Sequence, residues 1–288
     1  MNSTQAKGLY IAKGVAYDPK YRRYFITDSG NQRVLWWNSS SALTTGRPAD
    51  GVLGQLNFTD KFGGVARNKL WVPMGLAVDA SGNLWVADEM NNRVVRYPGA
   101  SLASGMDADL VLGQADFTSR LANRGGPASA NTMSAPQSIG VGKNGDVWVA
   151  ERDNHRVLGF SATGLANGVN ADFVLGQADF SGSSSNRGGS INADTLSAPT
   201  GVYVDNNNRV WVADLSNRRV LRFDSPSINK DAALVLGQND FISNTGGGGQ
   251  NKLTWPAAVI LDYFANVWVA DRDGNRIISI YSGHLTIS

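Results

Sequence analysis

The stretch Val78-Asp-Ala-Ser-Gly-Asn-Leu-Trp-Val-Ala-Asp-Glu-Met-Asn-Asn-Arg-Val94 decides the fold. Its centre, Asn83–Asp88, is apolar on both sides: in an extended strand Leu84 and Val86 point one way, Trp85 and Ala87 the other. A strand with one wet face would alternate apolar and polar residues, so this one is expected to lie between two packed layers. Ala80-Ser-Gly-Asn83 before it reads as a tight turn. Asp88-x-x-Asn91 after it reads as another, because Asn tolerates positive φ and Asp bonds nearby amides.

Outward from that stretch the chain repeats itself. Trp-Val-Ala-Asp returns as Trp148–Glu151, Trp211–Asp214 and Trp268–Asp271, with Phe25–Asp28 a weaker fifth member. Each acidic end is followed five residues later by Arg: Arg33, Arg93, Arg156, Arg219 and Arg276. Asn stands two places before that Arg at Asn31, Asn91, Asn154 and Asn217, and Gly274 replaces it in the last copy. A second block, Val-Leu-Gly-Gln, ends at Gln55, Gln114, Gln177 and Gln238, about 60 residues apart, a period that signals a tandem-repeat fold. It reads on into Asp116-Phe117, Asp179-Phe180 and Asp240-Phe241, and into Asn57-Phe58 in the first copy. One unit therefore holds four short apolar runs: Gly75–Asp79, Asn83–Asp88, Arg93–Tyr97 and Asp109–Gln114, here called a, b, c and d. Four antiparallel strands repeated around a circle describe a propeller blade. The approximate units are 8–60, 70–118, 134–181, 197–242 and 254–288 of a single all-β domain.

The bulk composition agrees. Gly is frequent at 33 residues and charged residues are few at 17%, which suits many short strands and tight turns. The nearest approach to a helix, Ser161–Asn170, is broken by Gly. With no Cys, disulfides, thiolate zinc sites and a Cys nucleophile are excluded. A net charge of +2 is small for a dedicated nucleic-acid module. No apolar run approaches the roughly 18 residues of a membrane span. Met1–Lys7 lacks the apolar core of a signal peptide, and the chain names no compartment.

The pattern Val-Asp-x-x-Gly-Asn-x-Trp-Val-Ala-Asp-x-x-Asn-x-Arg-Val resembles the NHL repeat. The Val-Leu-Gly-Gln-x-Asp-Phe extension is similar to a subgroup of bacterial-type NHL proteins. The resemblance implies a β-propeller of four-stranded antiparallel blades, usually six, where five units are visible. The expectation is a five-bladed structure, or part of a six-bladed ring. Gly142 in place of the a-strand Asp, and Arg209 in place of the turn Asn, depart from the pattern. The fifth unit has no Val-Leu-Gly-Gln strand, and His284–Ser288 or Gly8–Ala12 are the segments available to replace it.

Function is sought where the repeat is broken. The connections Asp116–Pro136, Asp179–Pro199 and Asp240–Pro256 are long and Gly-rich, and long loops in compact domains are more often functional or locally packed than idle. They share a propeller face with the b–c turns, which makes that face the binding candidate. The turn residues Gln32, Met90, Arg152, His155, Arg218 and Arg272 differ between units, and Arg124 and Arg187 lie in the connections. These eight are the candidate ligand-binding residues. The five Arg and the acidic residues before them are read as turn-fixing pairs. The alternative is that Asp28, Asp88, Glu151, Asp214 and Asp271 form a carboxylate ring for Ca²⁺. No other cofactor is expected.

Two classes of function remain. The favoured one is a non-enzymatic scaffold recognising protein, peptide or glycan, and a basic loop face for RNA or an anionic polymer is a variant of it. The other is a lactonase- or lyase-like metal enzyme, which related propellers include. Only His155 and His284 are present, so a three-His zinc site cannot be built. A carboxylate and Asn site stays open.

Overall fold

The computed structural model describes residues 5–39 and 43–281. Nineteen strands, and no α-helix among the described residues, form five antiparallel sheets, one for each sequence unit. The protein is an all-β propeller with five blades. Blade 1 is β1 (Ala12–Asp18), β2 (Arg23–Asp28), β3 (Arg33–Asn38) and β4 (Gly51–Leu53). Blade 2 is β5 (Pro73–Val78), β6 (Leu84–Asp88), β7 (Arg93–Tyr97) and β8 (Leu110–Leu112). Blade 3 comprises β9 (Pro136–Val141), β10 (Val147–Glu151), β11 (Arg156–Phe160) and β12 (Phe173–Leu175). In blade 4 these are β13 (Pro199–Val204), β14 (Val210–Asp214), β15 (Arg219–Phe223) and β16 (Leu234–Leu236). Blade 5 has three described strands, β17 (Pro256–Leu261), β18 (Val267–Asp271) and β19 (Arg276–Ile280). Its expected outer strand at His284–Ser288 lies outside the described residues. Residues 8–11 form an irregular approach to β1 rather than a strand.

The chain divides into two compact units, blades 1 and 2 belonging to the first and blades 4 and 5, with nearly all of blade 3, to the second. Within each, the two-sided patterning of strand b does what its residues dictate. In the first unit Phe25, Val34 and Trp36 of blade 1 pack on Leu84, Val86 and Val95 of blade 2. In the second, Trp148 and Val157 meet Val202, Val210 and Val212, and Trp211 and Val220 meet Val259, Val267 and Val269. The Trp side of one blade thus covers the Val side of the next. Close packing leaves no room for a side chain opposite some rings: a Cβ on Gly159 would lie 2.7 Å from the Trp148 ring, which fixes Gly there.

The a-strand Asp holds the buried indole. Trp85 Nε1 donates to Asp79 Oδ2 at 3.1 Å, and Trp211 Nε1 to Asp205 Oδ2 at 3.0 Å. The same carboxylates accept backbone N–H groups of the a–b turn, such as Ser81 and Asn207. Blade 1 shows the converse. The Phe25 ring has no N–H to offer, and Asp18 Oδ2 is left buried without a partner.

Candidate binding face

The recurring charged residues are consumed by architecture. Asp88 and Arg93 are both fully buried, and Arg93 Nε donates to Asp88 Oδ2 at 2.8 Å. Asn91 Nδ2 donates to the same oxygen, while Asp88 Oδ1 accepts the Trp71 N–H. The remaining guanidinium N–H groups reach the carbonyls of Phe117, Ala66 and Lys69, tying the loops on either side to the turn. Arg219 repeats the arrangement with Asp214, Phe241, Asn192 and Thr195. Burial pushes the Asp88 and Asp214 carboxyls up, and the neighbouring guanidinium opposes it. Such a network fixes geometry rather than storing stability. The oxygens of Asp28, Asp88, Glu151, Asp214 and Asp271 accept from this Arg, and the Asp members also from the amides of an entering loop. Among the described residues no group of three or more His, Asp or Glu is placed to hold a metal ion.

In the Val-Leu-Gly-Gln-x-Asp-Phe block the Gly, Gln, Asp and Phe each have a structural task. Gly113 and Gly176 adopt φ of 84° and 88°, the left-handed turn that ends strand d. Gln114 Nε2 then donates to Asn92 O in the b–c turn and to Leu121 O in the following connection, at 3.0 and 2.9 Å. Gln177 does the same with His155 O and Ser184 O. These bonds place each long connection against the b–c turn of its own blade, so the two share a face as the sequence implied. Asp116 Oδ1 accepts from the amides of Thr118 and Ser119, which holds its carboxyl down to about 2. The Phe carbonyl receives the buried Arg.

Two candidate residues prove to be latches between blades. Gln32, Asn92 and His155 occupy the same place before the buried Arg, with φ of 57°, 50° and 52°. Their side chains accept the backbone N–H of Val72, Ala135 and Ala198 respectively. Each donor precedes the Pro that opens the next strand a, and each has itself a positive φ near 50°. An acceptor is what the position requires. Arg218 has none, and there Trp255 N–H turns to Asp271 Oδ1 instead.

His155 Nδ1 accepts the Ala198 N–H at 2.8 Å, so the ring serves in its neutral form, and burial lowers its pKa against the pull of Asp153 and Asp214. A folded state that binds this proton less readily than the unfolded chain loses stability as pH falls below the unfolded value of about 6.5. Thermal melts from pH 8 to pH 5 are therefore expected to show a decline that His155→Asn flattens, since Asn92 makes the same bond in blade 2. An unchanged slope in that variant would remove the latch from the account.

The other candidates are dispersed. Arg152 pairs with Asp153 and Arg272 with Asp273, with Arg272 also lying over the Trp255 ring. Arg218 Nη1 donates to Asn244 O, and Met90 is exposed. Arg187 Nη1 pairs with Asp194. Arg124 is different. It lines a hollow of about 330 Å³ on the connection after β8, together with Gln114, Thr118, Ser119, Arg120 and Leu121. Among the described residues its one hydrogen bond is a long one, Nη2 to Gly168 O at 3.4 Å. Gln114, Thr118, Ser119 and Arg120 were not among the expected site residues, because nothing in one loop read alone distinguishes them. The signal lay in comparing loops: Asn-Arg-Gly-Gly at 123–126 and 186–189 align throughout, and Asn131 then stands where Asp194 does.

Three segments, residues 70–97, 133–160 and 196–223, match the NHL repeat. Together with the bladed architecture they identify the chain as an NHL-repeat β-propeller. No curated protein matches it in sequence. Among solved structures it is similar to a streptogramin B lyase at 13% identity, covering 98% of this chain and 68% of that one, with a TM-score of 0.57. It is also similar to a chain of the nidogen/laminin complex (15%, covering 96% and 77%, TM-score 0.58). A third is a gluconolactonase from Xanthomonas campestris (15%, 97% and 78%, 0.54). Likeness at this identity concerns the fold.

Proposed function

We propose that the chain is a non-enzymatic binding scaffold, recognising protein, peptide or glycan through the face where the long connections meet the b–c turns. The observation that carries this reading is the contrast between the repeated charges and the hollow at Gln114. The former are spent on holding blades and, Arg276 apart, are buried, whereas the Arg124 guanidinium in the hollow has no carboxylate partner among the described residues. The nidogen/laminin structure supports it as an instance of a similar fold in a protein complex. The paired arginines 152, 187 and 272 leave less basic surface than an RNA-binding face would use.

The test is a mixed glycan and peptide array probed with the wild-type chain and with an Arg120→Gln/Arg124→Gln double variant, each checked for an unchanged melting temperature. Wild-type binding that the double variant loses is the expected result. An array without binding, or binding indifferent to the two substitutions, sinks the reading.

A further inference from the structure

Blades 2 and 3 carry the same connection, Asn-Arg-Gly-Gly with Asn123 and Arg124, or Asn186 and Arg187, in the left-handed conformation. The same backbone therefore presents the same guanidinium twice. In blade 3 that charge is satisfied internally: Arg187 Nη1 pairs with the Asp194 carboxylate, and Nη2 donates to Asp194 O at 2.8 Å. In blade 2 the aligned residue is Asn131, which carries no charge. Arg124 keeps a half-buried cation without an ion pair, and burial lowers its pKa against the favourable field of Asp116.

The wall of the hollow adds a second, independent observation. Gln114 is fully buried and lines the hollow, and its Oε1 has no hydrogen-bond partner. Its counterparts Gln55 and Gln238 use that oxygen, accepting from Lys69 Nζ and from Thr245 N. An acceptor left over in a fully buried residue needs a donor, which an ordered water or a bound ligand at the wall of the hollow can supply. The rest of the wall is Thr118, Ser119 and Arg120, with Arg120 held over the Trp71 ring at 5.0 Å.

We propose that this hollow binds the carboxylate of an acidic saccharide, Arg124 and Arg120 holding the anion while sugar hydroxyls meet the Gln114, Thr118 and Ser119 side of the wall. This rests on the reading of the loop face as a binding surface and names its ligand class. Two guanidinium groups set against the Asp116 carboxylate leave a single positive charge, which matches one carboxylate better than a phosphate dianion. A hydroxyl-rich frame also supplies donors to Gln114 and to Asp116. An extended peptide offers mainly backbone groups, for which the wall has no strand edge.

The experiment is isothermal titration and saturation-transfer NMR with sodium galacturonate, its methyl ester and glucose. Galacturonate is expected to bind, and the two neutral sugars not. Arg124→Gln should weaken binding by about tenfold or more, the scale of one lost charge-assisted pair. Asn131→Asp, which supplies the carboxylate that neutralises Arg187 in blade 3, should do the same with the fold intact. Arg187→Gln should leave binding unchanged. Absence of a galacturonate signal, equal binding of its methyl ester, or indifference to both Arg124→Gln and Asn131→Asp would overturn the proposal. Array binding of peptides or neutral glycans that depends on Arg120 and Arg124 would overturn it too, while the loop-face reading stood.

Discussion

Arg219→Ala is expected to destabilise the protein by about 3–5 kcal/mol, the cost of leaving a buried charge without its partner. Arg219 is fully buried, and its substitution strands Asp214, also fully buried, together with the carbonyls of Phe241, Asn192 and Thr195. Arg219→Lys should recover little, because one ammonium cannot reproduce a planar fork directed at four acceptors. Arg276 makes the corresponding contacts with its side chain 24% exposed, so water can replace part of what Arg276→Ala removes. Its loss should be clearly smaller. Urea denaturation followed by both circular dichroism and fluorescence measures the difference and tests whether the transition is two-state. Equal losses for the two variants, or less than about 1 kcal/mol for Arg219→Ala, would contradict the role given to burial.

The second large effect is expected at the Trp layer. Trp211 is 1% exposed, sits between blade 4 and the Val259, Val267 and Val269 side of blade 5, and donates its indole N–H to Asp205. Trp211→Ala should cost about 3–5 kcal/mol through lost transfer energy and the cavity left behind. Asp205 Oδ2 loses one of two donors and keeps Arg209 Nε, so the hydrogen bond adds little to that. Trp268 occupies the same place in blade 5 and bonds Asp262 in the same way, yet it is 39% exposed. Trp268→Ala should cost less than half as much. Denaturation midpoints that fall together in the two variants would mean that the Trp268 side is covered in solution.

Blade architecture was legible in the sequence because the blades solve the same problem with closely similar residues. Trp85, Asp88 and Arg93 recur with a fixed spacing, and the spacing is the register: Asp88 pairs across the turn with Arg93, as Asp214 does with Arg219. The strand boundaries moved slightly. Strand a begins at Pro73 rather than Gly75, since Pro has no N–H to give and suits the first residue of a strand. What the sequence did not show was the destination of side chains that differ between copies. Gln32, Asn92 and His155 look like variation and serve one purpose, which only the amides of Val72, Ala135 and Ala198 reveal. Arg124 and Arg187 look alike and differ, because one residue seven places further on is Asn in one loop and Asp in the other. Identity along the chain was a poor guide to sameness of role. The partner across space decided it.

The latch has a consequence for how such a chain can grow. Its acceptor closes one repeat and its donor opens the next, so blades 2 and 3 each carry half of two joints and a whole joint belongs to neither. A duplicated segment inserted in register arrives with a socket at one end and a plug at the other, both standard. Because Gln, Asn and His all fit the socket, drift at that position need not break the joint. Tandem expansion then requires no new invention at the seam, while a cut that ignores the register leaves a left-handed residue before Pro with nothing to hold it.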